Sequence, residues 1–382
     1  MLMSDSPLVS VVMPCLNEEE TVGLCVEMAL KTLKKAKIDG EVVICDNGSI
    51  DNSIKLAQKA GARVVLEKRK GYGSAYLRGI KEAKGEIIVI GDSDGTYDFS
   101  EIPSLLKKFG EGYDLVLGAR LSGRIEKGAM PFLNRFFGTP VLNFFLKIFY
   151  GLSLSDSQSG MRIFSKKTFE KLKLKTLGME FASEMLIRAA QNGLKIGETP
   201  ISYKKRIAPS KLSRFRDAWR HFRFMLLFAP TYLFLIPGSF FMIVGVLGLL
   251  ALSRGPLWLF GRFLDFHSMI LASLLTLVGY QVIMLGIYAK VFSWVCGFTG
   301  GELIISAVLK YFRLEKGIGV GLGVAFMGAA VGAIAFIHWA QTGFGSLSAI
   351  RPAILSMTLF VLGIQIIFSS FFLSILGLER RQ

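Results

Sequence analysis

Cysteine and histidine are scarce in this chain, with four and three residues among 382. Cys15, Cys25, Cys45 and Cys296 have no paired spacing. That excludes a disulfide framework and a zinc site and leaves reduced packing thiols. His221, His267 and His338 are scattered and suggest no metal site. The N-terminus lacks a basic region followed by an apolar run and a small-residue cleavage site, so no signal peptide is read there and the globular part is expected in the cytosol. No recognised nucleic-acid module or aromatic interleaving accompanies the basic residues, which argues against a nucleic-acid partner.

Long stretches of the C-terminal part also lack charge. Phe224 to Ser253, Ser268 to Ala289, Gly317 to Ile350 and Ala353 to Leu378 contain no Asp, Glu, Lys or Arg. Each reaches the roughly 20 residues that cross a ~30 Å hydrocarbon core. Mean hydropathy is above zero. Four spans are therefore predicted near 236–253, 268–290, 318–339 and 354–377, with Pro230 and Pro237 breaking the first apolar run into an interfacial piece and a true span. The expected division is a soluble domain over 1–223 and a membrane region over 224–382.

The net charge is +16. Lys310, Arg313 and Lys316 follow the second predicted span, and Arg380 and Arg381 close the tail. The positive-inside tendency puts these in the cytoplasm with the N-terminal domain, although Arg254, Arg262 and Arg351 on the other side dilute the signal. The expectation is an integral membrane protein of the plasma membrane, or of the endoplasmic reticulum in a eukaryote, with a cytoplasmic catalytic domain. A basic stretch from Lys204 to Arg223 ends at the membrane and suits anionic headgroups.

Within the soluble part, short apolar runs alternate with helical patterns. Val9–Met13, ended by Pro14, Glu41–Cys45, Arg63–Leu66, Glu86–Ile90 and Asp114–Ala119 read as strands. Helices are predicted near 19–35, 49–59, 74–83 and 179–191. Such alternation implies an α/β, doubly wound, mostly parallel sheet, whose ligand crevice lies beyond the carboxyl ends of its strands.

The polar residues at those ends are the candidates for chemistry. Asp92 and Asp94 follow the Ile87–Ile90 run and place two carboxylates one residue apart. Like charges so close need a compensating cation or hydrogen-bond donors. A hard ion such as Mg2+ or Mn2+ fits, and it neutralises a diphosphate leaving group; the alternative is an acidic turn capping the next helix. Asp46 can accept from a base edge or ribose hydroxyl, with Asn17 and Glu18 closing the crevice, or Asp46 can form an Asx-turn and Asn17 a helix N-cap. Gly71-Tyr72-Gly73 is a Gly-rich turn beside Lys68, Arg69 and Lys70, cations that face phosphate or water; Tyr76 stands where a dinucleotide fingerprint needs Gly. Asp156 precedes Gly160 and Arg162 and can act as a base or orient Arg162. Should the reacting group be a phosphate, it is already ionised at neutral pH and needs no base, which favours orientation. Arg206 and Lys211 can grip such a phosphate.

Taken together, Pro14-Cys15-Leu16-Asn17-Glu18-Glu19, Asp46-Asn47-Gly48-Ser49, Asp92-Ser93-Asp94, Gly118-Ala119-Arg120, Asp156 with Gly160 and Arg162, Glu184-Met185 and Ile196-Gly197-Glu198-Thr199-Pro200-Ile201 resemble, in order, the polyprenyl-phosphate glycosyltransferases related to dolichol-phosphate mannose synthase, in glycosyltransferase family 2. The resemblance covers about residues 7–223. It implies a GT-A fold followed by a membrane anchor, a Mg2+ or Mn2+ ion held by Asp94 beside Asp92, and a nucleotide contacted by Pro14, Glu18, Asp46 and Asp92. It further implies that Arg120, Arg135, Arg206 and Lys211 surround the phosphates. The implied reaction passes a hexose from a nucleotide diphosphate sugar to a dolichyl or undecaprenyl type phosphate, with inversion. Homo-oligomerisation stays open. Two departures leave base and sugar open: Asn47 replaces the second acid of an Asp-Asp-Gly-Ser pattern, and Gly95 follows the Asp pair.

Two rival readings remain. A processive polysaccharide synthase typically carries Gln-x-x-Arg-Trp, where this chain has Asp217-Ala218-Trp219-Arg220. A transporter subunit that senses nucleotide sugars needs intramembrane charge along a path, for which Lys290, Glu302 and His338 are the candidates.

Overall fold

A computed structural model describes residues 8–207, 214–259, 261–295, 314–344 and 349–378. Lys211, Cys296, Glu302, Lys310, Arg313, Arg380 and Arg381 lie outside the described residues. The chain forms two compact units, Met1–Met225 and Leu226–Gln382.

In the first unit the order is β1 (Val9–Cys15), α1 (Val22–Lys35), β2 (Gly40–Asp46), α2 (Ser53–Lys59), β3 (Arg63–Leu66), α3 (Tyr72–Glu82), β4 (Ile87–Ile90), α4 (Ile102–Phe109), β5 (Leu115–Ala119), α5 (Thr139–Tyr150), β6 (Arg162–Ser165), α6 (Lys166–Leu172), α7 (Phe181–Gln191), β7 (Ile196–Pro200) and most of α8 (Arg214–Leu227), whose last two residues belong to the second unit. The strands form one sheet in the order β3-β2-β1-β4-β6-β5-β7, and β6 runs antiparallel to both neighbours while the other pairs are parallel. This is the GT-A-like sheet that the motifs implied.

Alternation along β1 explains its central place. Val9, Val11 and Met13 join a buried cluster with Val22, Val26 and Ala29 of α1 and Ile102 and Leu105 of α4. Val12 points the other way, where a Cβ on Gly79 of α3 would come within 2.6 Å of it. Each such fully buried aliphatic residue contributes roughly 1.5–3 kcal/mol. Pro14 was expected to end this strand, yet β1 runs on to Cys15. Pairing with β4 stops at Val12, so the N–H that Pro14 lacks is not needed on that side.

The second unit holds α9 (Ile236–Ser253), the hairpin β8 (Leu257–Leu259) and β9 (Arg262–Leu264), α10 (Phe266–Val295), α11 (Leu314–Gln341) and α12 (Ile350–Leu378). Four segments, Thr231–Ser253, Phe266–Val295, Leu314–Gln341 and Ile350–Leu376, are long and apolar enough to cross a membrane. The apolar run is interrupted just before Pro230, where α8 ends at Leu227, and α9 covers the expected 236–253, but the span is not cut at Pro237. A π-helical turn over Thr231–Leu235 leads directly into α9, with Pro237 in its first turn, where a prolyl N–H is least missed. Small residues let the helices approach closely: a Cβ on Gly279 would lie 2.4 Å from the Met242 nitrogen, and one on Gly363 2.4 Å from that of Ala325.

Candidate active site

The crevice is built where β1, β2 and β4 end. Asn17, one of the few non-glycine residues with positive φ (52°), staples β1 to the turn after β2: its N–H donates to Ser49 Oγ (2.9 Å) and its Oδ1 accepts from the Ile50 N–H (2.8 Å). Thr21, not Asn17, occupies the N-cap of α1. The Glu18 N–H donates to Ser53 Oγ at 2.8 Å. Asp46 is buried, and its carboxylate accepts from the N–H groups of Gly48 (2.8 Å) and Ser49 (3.1 Å) and from the Ser49 hydroxyl, so the Asx-turn is present. Pro14 contributes its carbonyl, which accepts from Ser93 Oγ at 2.6 Å and ties β1 to the Asp92-Ser93-Asp94 turn.

Asn47, the departure from the acidic pattern, has a specific structural use. Its Nδ2 donates to the carbonyls of Glu67 (3.0 Å) and Arg69 (2.8 Å), and its Oδ1 accepts from the Gly71 N–H (2.7 Å). A carboxylate has no proton for those two carbonyls. Lys70 lies over the same turn, its Nζ donating to the Asn47 carbonyl at 3.0 Å, while Arg69 pairs with Glu67.

Asp92 sits in a cage of phenols. Its Oδ1 accepts from Tyr72 (2.8 Å) and Tyr76 (3.1 Å), residues one turn apart on α3 whose rings meet edge to face at 4.9 Å. A Cβ on Gly160 would come within 2.9 Å of Asp92 Oδ2 and 3.2 Å of the Tyr97 hydroxyl. Burial, followed by the charge of Asp94, pushes the Asp92 carboxyl up to about 6, and the two phenols oppose that shift. Sequence reasoning missed Tyr72 and Tyr76; their i, i+4 spacing behind a Gly turn was the available signal.

Asp94 faces the opposite wall. Its Oδ1 accepts from the Thr96 hydroxyl (2.6 Å) and N–H (3.1 Å), and its Oδ2 is 3.4 Å from Arg206 Nε. The same guanidinium donates to Glu18 Oε1 at 2.5 Å. Backbone pairing delivers Arg206 there: Tyr97 and Tyr203 form a β-bridge, and the Lys204 N–H donates to the Thr96 carbonyl at 2.8 Å.

Arg120, just past β5, and Asp156 form a buried bidentate pair, Nε to Oδ2 at 2.7 Å and Nη2 to Oδ1 at 2.9 Å, with the Arg120 N–H adding a third bond at 2.9 Å. The guanidinium also stacks over the Tyr203 ring, 5.0 Å from its centroid. Asp156 thus orients Arg120 rather than Arg162. Arg162 is buried elsewhere and donates to the carbonyls of Ser157, Ser159 and Ala182. Glu184 likewise turns to structure, accepting from the N–H groups of Lys175 and Thr176. Arg135 is exposed on a π-helical turn with its guanidinium 5.4 Å from the Phe136 ring centroid, and it makes no ion pair among the described residues. Lys211 falls outside the described residues.

The thiols take no part. Burial pushes Cys15 up to about 11 and Cys25 and Cys45 up to about 12, so all three stay protonated.

Comparison with known proteins agrees with this architecture. Residues 10–173 match the model of glycosyl transferase family 2, and residues 287–377 match the family 2 C-terminal transmembrane region. The low-salt glycan biosynthesis hexosyltransferase Agl6 of Haloferax volcanii is 39% identical over 382 residues, covering 99% of this chain and 92% of that protein. The dolichyl-phosphate hexose transferase of the same organism is 32% identical over 208 residues, or 54% of this chain and 87% of its own length. Among solved structures, glucosyl-3-phosphoglycerate synthase of Mycobacterium tuberculosis with Mn2+, UDP and its product aligns at 23% identity over 58% of this chain and 79% of that one, with a TM-score of 0.46. The chain belongs to family 2 of the glycosyltransferases. It is a glycosyltransferase with a membrane region.

Proposed function

We propose that this glycosyltransferase passes a hexose from a nucleoside diphosphate sugar to a polyprenyl phosphate, with inversion, on the cytoplasmic face of its membrane. One observation carries the acceptor class. Asp156, the acid read from the sequence as a possible base, accepts three hydrogen bonds from Arg120, which supports an acceptor that arrives already ionised. A phosphate oxygen meets that condition and an alcohol does not. Arg120, with Arg206 and, in this reading, Arg135 and Lys211, supplies the positive field for donor and acceptor phosphates.

The donor set fits a hard divalent ion. The carboxylates of Asp92 and Asp94 suit Mg2+ or Mn2+ with substrate phosphates completing the shell; among the described residues no larger group of His, Cys, Asp or Glu side chains converges. In this reading Asp94, oriented by Thr96, is the principal ligand once Arg206 yields its Oδ2, and Asp92 offers the oxygen that its two phenols leave. When bound, the ion neutralises the diphosphate as it leaves. Asn17, Glu18, Asp46 and Pro14 shape the crevice for the nucleotide. Tyr72 and Tyr76 fix Asp92, and Thr96 fixes Asp94.

A lipid partner is supported by the surface of the catalytic unit. Phe132, Phe136, Phe137, Phe144 and Ile148, around and along α5, are exposed, an apolar face of the kind that enters a membrane interface. The test incubates membranes with labelled nucleotide sugars and short polyprenyl phosphates, or the corresponding free polyprenols. Divalent-dependent glycolipid from the phosphates alone is expected, and equal use of the polyprenols would contradict the acceptor assignment.

A further inference from the structure

The loop joining the first two spans is not a bare connection. Leu257–Leu259 pairs with Arg262–Leu264 as a short antiparallel hairpin, with Gly255 (φ 153°) and Gly261 (φ 71°) taking the positive-φ turns. Side chains alternate between its faces. Leu264 packs on Leu249, Leu252, Met269 and Ala272 of the bundle, so the opposite face, carrying Trp258 and Phe263, is turned away from the bundle. Those rings face each other across the strands at 5.4 Å and are 73% and 54% exposed.

Charge is uneven at the same end of the bundle. Asp265, at the start of α10, pairs with Arg351 of α12. Arg254 and Arg262 are exposed and make no ion pair among the described residues. Because the hairpin connects the ends of two spans, it sits at a membrane–water boundary, where Trp is enriched and cations meet headgroup phosphates.

We infer that this hairpin is a docking surface for anionic phospholipid headgroups in the leaflet at the C-terminal end of the first span, with Trp258 and Phe263 seated among the lipids and Arg254 and Arg262 holding their phosphates. A guanidinium donates two parallel N–H groups to a phosphate, and an indole anchors best where one side is apolar and the other wet.

The test uses the full chain in vesicles of phosphatidylcholine, alone or with added phosphatidylglycerol. Trp258 is isolated by replacing Trp219, Trp294 and Trp339 with Phe. Its emission should be quenched by lipids labelled near the headgroup and should shift to the blue with phosphatidylglycerol. That shift should be lost in the Arg254→Gln, Arg262→Gln double variant and kept in the Arg254→Lys, Arg262→Lys variant. If the Gln variant does not fold, added salt must abolish the shift in the parent protein. Emission that ignores phosphatidylglycerol, or a shift that survives both the Gln substitutions and salt, overturns the inference. So does quenching by aqueous iodide without quenching by lipid, which would point to a protein partner instead.

Discussion

Arg206 lies 3.4 Å from Asp94 through Nε while its other arm donates to Glu18, so one guanidinium stands between two acids from different segments of the catalytic unit. A divalent ion on Asp94 and this guanidinium draw on the same negative charge. Arg206→Ala is therefore expected to tighten Mn2+ binding, read by electron paramagnetic resonance. Turnover should fall by about 10²-fold, since the lost cation faces charge that develops on the phosphates. Weaker Mn2+ binding in the variant would contradict this arrangement.

The Arg120–Asp156 pair gives a stability prediction. Asp156 is fully buried and Arg120 nearly so. Removing one partner of such a pair leaves a buried charge uncompensated, at a cost of ~3–5 kcal/mol. Asp156→Asn should lower the denaturation midpoint of the full-length protein and its transfer activity together. A variant of unchanged stability that loses activity alone would return Asp156 to the role of base.

Asp92 sets a pH dependence. Its folded-state carboxyl, at about 6, is raised above the ordinary value of 3.8, chiefly by burial and next by Asp94. Its contribution to the stability of the metal-free protein is therefore present below the ordinary carboxyl range and lost as pH rises through about 6. Divalent binding runs the other way, weakening as pH falls through the same window. Tyr72 favours the charged form, so Tyr72→Phe should move the acid limb of the activity profile to higher pH. A limb that stays in place would show that this phenol does not act on Asp92.

Asn47→Asp supplies the second acid of an Asp-Asp-Gly-Ser pattern. Here it would set a carboxylate against the Glu67 and Arg69 carbonyls, which lose their donor. An expected cost of about 1–3 kcal/mol should appear as lower thermal stability and a raised donor KM. Unchanged values would mean that the 67–71 segment is held by other bonds.

Much of this was legible because it is local. Strand–turn–helix alternation announced the first five strands, and the uncharged runs announced the spans. β6 was not legible: four residues that follow a polar loop and insert antiparallel between β4 and β5 carry no periodic signal of their own. The positions of Asp92, Asp94 and Arg120 at strand ends followed from sequence. Their partners did not, because Arg120 meets an acid 36 residues away and Glu18 an arginine 188 residues away. Asp156 was paired in expectation with Arg162, its neighbour in sequence, whereas burial directs Arg162 to backbone carbonyls. The bounds of α9 and the break before Pro230 were legible, whereas the placing of Pro237 in a first helical turn, continuous with the π-helical turn before it, was not.

The measurement closest to the central claim is Mn2+ binding by the full-length protein with a panel of nucleoside diphosphates, comparing the parent chain with Asp94→Ala and following hexose transfer in parallel. The account predicts nucleotide-dependent Mn2+ binding that disappears with Asp94, together with transfer. Retention of both in the variant would contradict it.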